Sequence, residues 1–214
     1  MGLIIIGAGG HGRVVADAAR AAGLVPCAFV DRKPPADTVD ELPVFATLEE
    51  ACREHADANA RSTFIAAIGD NEQRAEEYVH AFDFGLEPAT IMHPTAVVSE
   101  TAQVGVGAYL GAQAVVNPGA RIGENAIINT AAVIEHDCHV GAHAFVAPGA
   151  VFCGAAGIGD FSFVGAGATL IPLVQVGAHA LVAAGAVVVR DYPEDGARLF
   201  GVPAQNRDQA QEQA

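Results

Sequence analysis

The sequence predicts two architectures in one chain, a small α/β parallel-sheet domain followed by an all-β parallel β-helix. Two observations carry this. One is an apolar repeat of period six over residues 92–188. The other is a glycine-rich loop at residues 7–12, set between a strand-like and a helix-like segment.

Counting in sixes from Met92 through Val98, Leu110, Ile134 and Phe152 to Val188 gives seventeen apolar anchors with no insertion. Four places after each anchor, thirteen of sixteen residues are Ala, and the exceptions are Cys138, Ser162 and Val174. Gly often follows the anchor directly, as at Gly105, Gly123 and Gly141. A helix would space its apolar residues three or four apart, and a continuous strand would alternate every two. Six is the period of a solenoid of short strands and tight corners, three hexads to a triangular coil. Sixteen hexads then make a little over five coils, stacked at the strand spacing of roughly 4.8 Å. Aliphatic anchors fill the prism, Ala fits beside them, and Gly or Asn is expected to take the corner dihedrals.

Ahead of the repeat, Leu3–Ile6 reads as a buried strand, residues 13–22 as a helix, and residues 28–30 as a second strand ending at Asp31-Arg32. Residues 47–58 read as a helix, 63–68 as a third strand and 71–84 as a third helix. Strands alternating with helices indicate a parallel sheet. Gly7, Gly9 and Gly12 satisfy G-x-G-x-x-G between strand and helix, with Asp31 nineteen residues beyond Gly12. That pattern fingerprints a nucleotide: glycines admit the phosphates, the helix N-terminus attracts them, and the Asp holds a ribose hydroxyl. Only one mononucleotide half precedes the prism, so the domain is half-Rossmann-like. A nucleotide-sugar fits it better than a dinucleotide. The expected boundaries are 1–88 for this domain, 89–190 for the β-helix and 191–214 for a closing segment and polar tail.

Composition narrows the function classes. The net charge of −14 opposes nucleic acid or anionic membrane as a partner. Fourteen acidic residues fall within 31–87, whereas Arg121 is the sole Arg or Lys in 92–188. Prism faces so poor in charge suit packing against copies of the same chain. No run reaches the roughly 18 apolar residues of a membrane span, and the start lacks a basic leader. Cys27, Cys52, Cys138 and Cys153 show no paired spacing, which indicates reduced thiols and a cytoplasmic protein. His143 and His179 share one phase two coils apart, too far to share a metal ion directly.

The order of Gly-Ala-Gly-Gly-His-Gly (7–12), Val-Asp-Arg (30–32), Ala-Ile-Gly-Asp-Asn (67–71) and a hexapeptide array resembles one family, the sialic acid O-acetyltransferases and UDP-N-acetylbacillosamine N-acetyltransferases. Ile-Asn-Thr (128–130), Ile-Glu-His-Asp-Cys (134–138) and Gly-Val-Pro-Ala (201–204) carry the same resemblance, which spans about residues 3–204. It implies a left-handed prism, a homotrimer, acetyl-CoA as acyl donor held between neighbouring subunits, and a nucleotide-linked amino sugar held by the N-terminal domain. It also implies His136 as general base and Asp137 as its partner, with Glu135 as the competing carboxylate. By residue chemistry, a neutral imidazole near pH 7 suits removal of a proton from an attacking amine. Adjacent side chains on a strand point to opposite faces, so a His136–Asp137 pair needs a corner between them.

The expected activity is acetyl-CoA-dependent N-acetylation of a nucleotide-linked 4-amino sugar, with a UDP-4-amino-4,6-dideoxy sugar favoured over GDP or dTDP sugars. The nucleotide sugar is expected along Gly9, Gly10, His11, Asp31, Arg32 and Gly69, with Arg32 offsetting diphosphate charge. Phe145, Ala166 and Ala184 match the family's cofactor-contacting positions. Phe145 departs from the His that several members carry there, so a hydrogen bond at that place is lost, or His143 replaces it. Backbone N–H groups near the corners are expected to stabilise the oxyanion. No metal is expected, and Cys138 in its inward slot is a poor nucleophile. Three rival readings remain: a sialic acid O-acetyltransferase, an NAD-dependent oxidoreductase built on the glycine loop, and a non-catalytic assembly scaffold.

Overall fold

Four consecutive aliphatic residues, Leu3–Ile6, form β1, the strand around which the N-terminal sheet is built. The computed structural model describes residues 2–55 and 62–207, and the chain divides into two units, Met1–Pro94 and Thr95–Ala214.

In the first unit β1 is followed by α1 (Gly10–Ala21), β2 (Pro26–Val30), β3 (Thr38–Val39), β4 (Leu42–Phe45) and α2 (Leu48–His55). Then come β5 (Thr63–Ala66), α3 (Asn71–Asp83) and β6 (Glu87–Pro88). The sheet order is β3-β4-β2-β1-β5-β6. All pairings are parallel except β3 with β4. The chain moves outward from β1 through β2 to β4, then crosses back to place β5 on the other side of β1. That reversal is a topological switch point, where open α/β sheets bind ligands beyond their strand C-termini. β1 is wholly buried, so its apolar run without alternation is what a strand covered on both faces requires.

Helix starts follow the capping rules. Asp70 accepts the Gln73 N–H at 2.8 Å and caps α3. α1 begins after Gly9 with no side-chain cap, three residues earlier than its helical composition suggests. The helix expected over 47–58 is described as α2 through His55, and the remainder lies outside the described residues, as does the polar tail from residue 208. The β3–β4 hairpin was not legible: its two-residue turn, Asp40-Glu41, takes positive φ at both positions (47° and 67°), and Glu is no turn signal there.

The second unit is a left-handed parallel β-helix. Strands two residues long pair in parallel with a register of eighteen, as Val115 with Val133, Arg121 with His139, and Ile127 with Phe145. Three hexads therefore complete each coil. Anchors and Ala residues form one continuous core from Ala108 to Ala204. Coil-like pairing continues past the expected end at 190, because Arg198–Phe200 pairs with the strand Leu181–Val182.

The corner dihedrals fall elsewhere than expected. From the third hexad on, positive φ recurs at the fourth place, at Gly107, Gln113, Gly119, Asn125, Ala131, Asp137, His143 and onward in sixes to Gly185. Most of these residues are not glycine. The glycines directly after the anchors have another cause, close approach between coils. A Cβ on Gly105 would lie 2.5 Å from the Glu124 backbone nitrogen, in the coil above.

Candidate active site

His136 and Asp137 follow the strand Val133–Ile134 and precede His139–Val140. Asp137 occupies the fourth place with φ of 60°, and that left-handed turn brings its carboxylate back to its neighbour. His136 Nδ1 lies 2.9 Å from Asp137 Oδ2. An ionised carboxylate only accepts, so Nδ1 carries the proton and the lone pair of the neutral ring is on Nε2. Both side chains are well exposed, 61% and 69%. The geometry thus chooses Asp137 over Glu135 and supplies the corner that pairing requires. The arrangement suits proton abstraction by Nε2.

Cys138 behaves as the inward slot predicts. It is buried, its thiol donates to the Cys153 carbonyl at 3.2 Å, and burial pushes its pKa up to about 11. That is the reverse of an activated nucleophile. All four cysteines are free thiols.

His143 and His179 are not independent. Phe161 stands between them, stacked at 4.8 Å on His143 and 5.0 Å on His179, while the Asn125 amide nitrogen lies 3.0 Å from His143 Nδ1. This column of corner side chains is structural packing. Phe145 is buried and stacks on Phe163 at 5.2 Å, whereas Ala166 and Ala184 are exposed at third places of their hexads. Among the described residues, no group of three or more His, Cys, Asp or Glu is arranged to hold a metal ion. No described helix is long and apolar enough to cross a membrane.

The first unit holds a cavity of about 520 Å³ at the switch point, and Gly9, Gly10, His11, Asp31, Arg32 and Gly69 all line it. Its walls are the loops after β1, β2, β4 and β5. Asp31 ties two of them together, for Oδ2 accepts the Ala8 N–H and Oδ1 the Lys33 N–H, each at 2.9 Å. A carboxylate has about four acceptor sites, so capacity remains for a ribose hydroxyl. Gly12 serves packing: a Cβ there would collide with the Gly7 carbonyl oxygen. The start of α1 lines the cavity, and no side chain caps its first N–H groups.

His11 sits in the first turn of α1. Burial, and then the charge of Arg74, lowers its pKa from 6.5 to about 4, so at neutral pH it meets a ligand as a neutral ring. Arg32 lines the cavity as one half of an ion pair. Its Nε pairs with Glu77 Oε1 at 2.6 Å, so its charge is already engaged by a buried carboxylate that also lies 3.6 Å from His80 Nδ1. Sequence reading missed Glu77, His80 and Arg74. Arg74 is fully buried and donates to the Ile68 carbonyl at 3.0 Å and to Asn71 Oδ1 at 2.8 Å. Their signal was a spacing of three along α3, which reads equally as a solvated helix face.

Comparison with known proteins agrees with both units. The model of the PglD N-terminal domain matches residues 2–80, and that of the bacterial transferase hexapeptide (six repeats) matches residues 119–154. No curated protein sequence matches the chain. Among solved structures, a mutant of perosamine N-acetyltransferase from Caulobacter crescentus, in complex with CoA and GDP-perosamine, is 37% identical over 98% of both chains with a TM-score of 0.91. The acetyltransferase domain of PglB from Neisseria gonorrhoeae FA1090, in complex with acetyl coenzyme A, is 34% identical over 96% of this chain and 98% of that one, with a TM-score of 0.88. WeeI from Acinetobacter baumannii AYE shares the fold at 23% identity, with a TM-score of 0.86. With this similarity along nearly its whole length, the chain belongs to the hexapeptide-repeat sugar acetyltransferases.

Proposed function

We propose that this protein transfers the acetyl group of acetyl-CoA to the amino group of a nucleotide-linked amino sugar. The observation that carries the reading is the His136–Asp137 pair, held with Nε2 as its free base, on a chain 37% identical to an acetyltransferase complexed with CoA and GDP-perosamine. The glycine-loop cavity is the place for the nucleotide, with the α1 N-terminus and Asp31 facing it. Its wall carries both a buried carboxylate, Glu77, and the Arg32 guanidinium, groups suited to reading the donors and acceptors of a base.

The neutral amine nitrogen attacks the thioester carbonyl carbon, forming the C–N bond. His136 Nε2 takes the proton released from that nitrogen, and Asp137 stabilises the imidazolium. Backbone N–H groups at the prism corners hold the oxyanion. Collapse breaks the C–S bond, and the imidazolium returns its proton to the sulfur, releasing CoA as the thiol and the sugar as its amide. Phe145, Ala166 and Ala184 contact the cofactor, the Phe by apolar packing. The active form is a cytoplasmic homotrimer with acetyl-CoA between neighbouring prisms.

The test is thiol release from acetyl-CoA with UDP-, GDP- and dTDP-linked 4-amino sugars, alongside sialic acid. Turnover with one amino-sugar nucleotide and none with sialic acid is expected. Turnover with sialic acid alone would transfer the reading to O-acetylation.

A further inference from the structure

The third-place residues of the face that carries His136 are Glu100, Pro118, His136, Gly154 and Pro172, one per coil; the fourth-place residues are Thr101, Gly119, Asp137, Ala155 and Leu173. Two glycines therefore bracket the pair, one coil on either side. A Cβ built on Gly154 would lie 2.6 Å from His136 Nε2 and 2.7 Å from Cε1. A Cβ built on Gly119 would lie 2.5 Å from Asp137 Oδ1. Heavy atoms do not approach so closely without bonding, so either methyl would move the side chain it met. Other corners on the prism accept Gln113, Asn125 and Ala131 at positive φ, so positive φ alone does not demand glycine at position 119.

The ring edge that rests on Gly154 contains Nε2, the ring nitrogen that Asp137 does not engage. The carboxylate oxygen over Gly119 is Oδ1, the one that His136 does not engage. The two glycines thus clear space for opposite ends of one hydrogen-bonded unit.

We infer that Gly154 and Gly119 are positioning residues for the acetyl transfer: Gly154 seats the His136 ring with Nε2 uncovered, and Gly119 leaves room for the Asp137 carboxylate to meet Nδ1. The inference rests on His136 being the base.

The experiment compares kcat and KM in Gly154→Ala, Gly119→Ala, Gly149→Ala and His136→Ala, with thermal melts of each. Gly149 has the same corner dihedral (φ 68°), but a Cβ added there would meet nothing within 4 Å, so it controls for backbone strain. A misplacement of about 1 Å costs about 100-fold. Gly154→Ala and Gly119→Ala are each expected to lose kcat on that scale with KM little changed, and Gly149→Ala to keep the wild-type kcat. The colliding atoms belong to an exposed side chain that can swing away, so Gly154→Ala should melt close to wild type while losing kcat. Wild-type kcat in Gly154→Ala, or a kcat loss in Gly149→Ala as large as in Gly154→Ala, would overturn the positioning role. Full activity in His136→Ala would instead overturn the base itself.

Discussion

His136 and Asp137 are sequence neighbours whose side chains meet, Nδ1 to Oδ2 at 2.9 Å, because Asp137 takes the left-handed corner dihedral of its hexad. In an extended strand they would point to opposite faces. The prism's own corner thus supplies the pairing, and the six-residue repeat and the His136–Asp137 geometry have one cause.

Replacing Asp137 tests this pairing. In Asp137→Asn the amide can donate to Nδ1, which moves the ring proton to Nε2 and removes the base. A loss in kcat of roughly 100-fold is expected, with little change in KM. Steady-state kinetics at saturating acetyl-CoA measures it, and kcat within about twofold of wild type would mean the carboxylate does not set the tautomer.

The cavity makes a separate prediction. Asp31→Ala removes the acceptor of the Ala8 and Lys33 N–H groups, loosening the glycine loop from the end of β2. The KM for the sugar nucleotide should rise, on the order of tenfold for about 1.4 kcal/mol of lost binding, while the KM for acetyl-CoA stays unchanged. Equal rises in both would place Asp31 outside the nucleotide site.

His11 gives the first unit a built-in acid sensitivity. Its pKa falls from 6.5 unfolded to about 4 folded, through burial and then Arg74. Between these values the unfolded chain binds a proton that the folded chain refuses, so stability falls as pH falls through that window. Relative to pH 7, wild type should lose on the order of 2 kcal/mol more than His11→Gln by about pH 4.5. Denaturant melts at the two pH values measure the difference, and parallel curves would contradict it.

Packing in the prism is tested by its two kinds of inward constraint. Phe152 is fully buried among the anchors, and Phe152→Ala should cost about 3–5 kcal/mol. Gly105→Ala should cost about 1–3 kcal/mol, because its methyl would press on the Glu124 backbone nitrogen at 2.5 Å. Thermal or chemical unfolding checks both.

What the chain revealed before its structure follows from which interactions repeat. The apolar anchor recurs seventeen times in steps of six, so the register of eighteen seen in Val115 with Val133 was legible. The cavity lining was legible because Gly9, Gly10, His11, Asp31, Arg32 and Gly69 lie just after strands, where a parallel sheet gathers its loops. The purpose of the glycines after the anchors was not, for it depends on backbone atoms of the next coil. Arg32 and Glu77 are forty-five residues apart and meet only through the fold. Arg74 looks like any helical Arg until burial is known. Gly154 carries no chemistry of its own, and only its distance to His136 gives it meaning.

The decisive measurement is acetyl transfer by wild type and His136→Ala, followed by thiol release with the panel of UDP-, GDP- and dTDP-linked 4-amino sugars and mass detection of the product. With His136 as the base, one nucleotide sugar gains an acetyl group on its amine, and kcat falls by at least about 100-fold in the variant. Tight NAD binding with no acetyl transfer to any amino sugar, or undiminished transfer by His136→Ala, would contradict this mechanism.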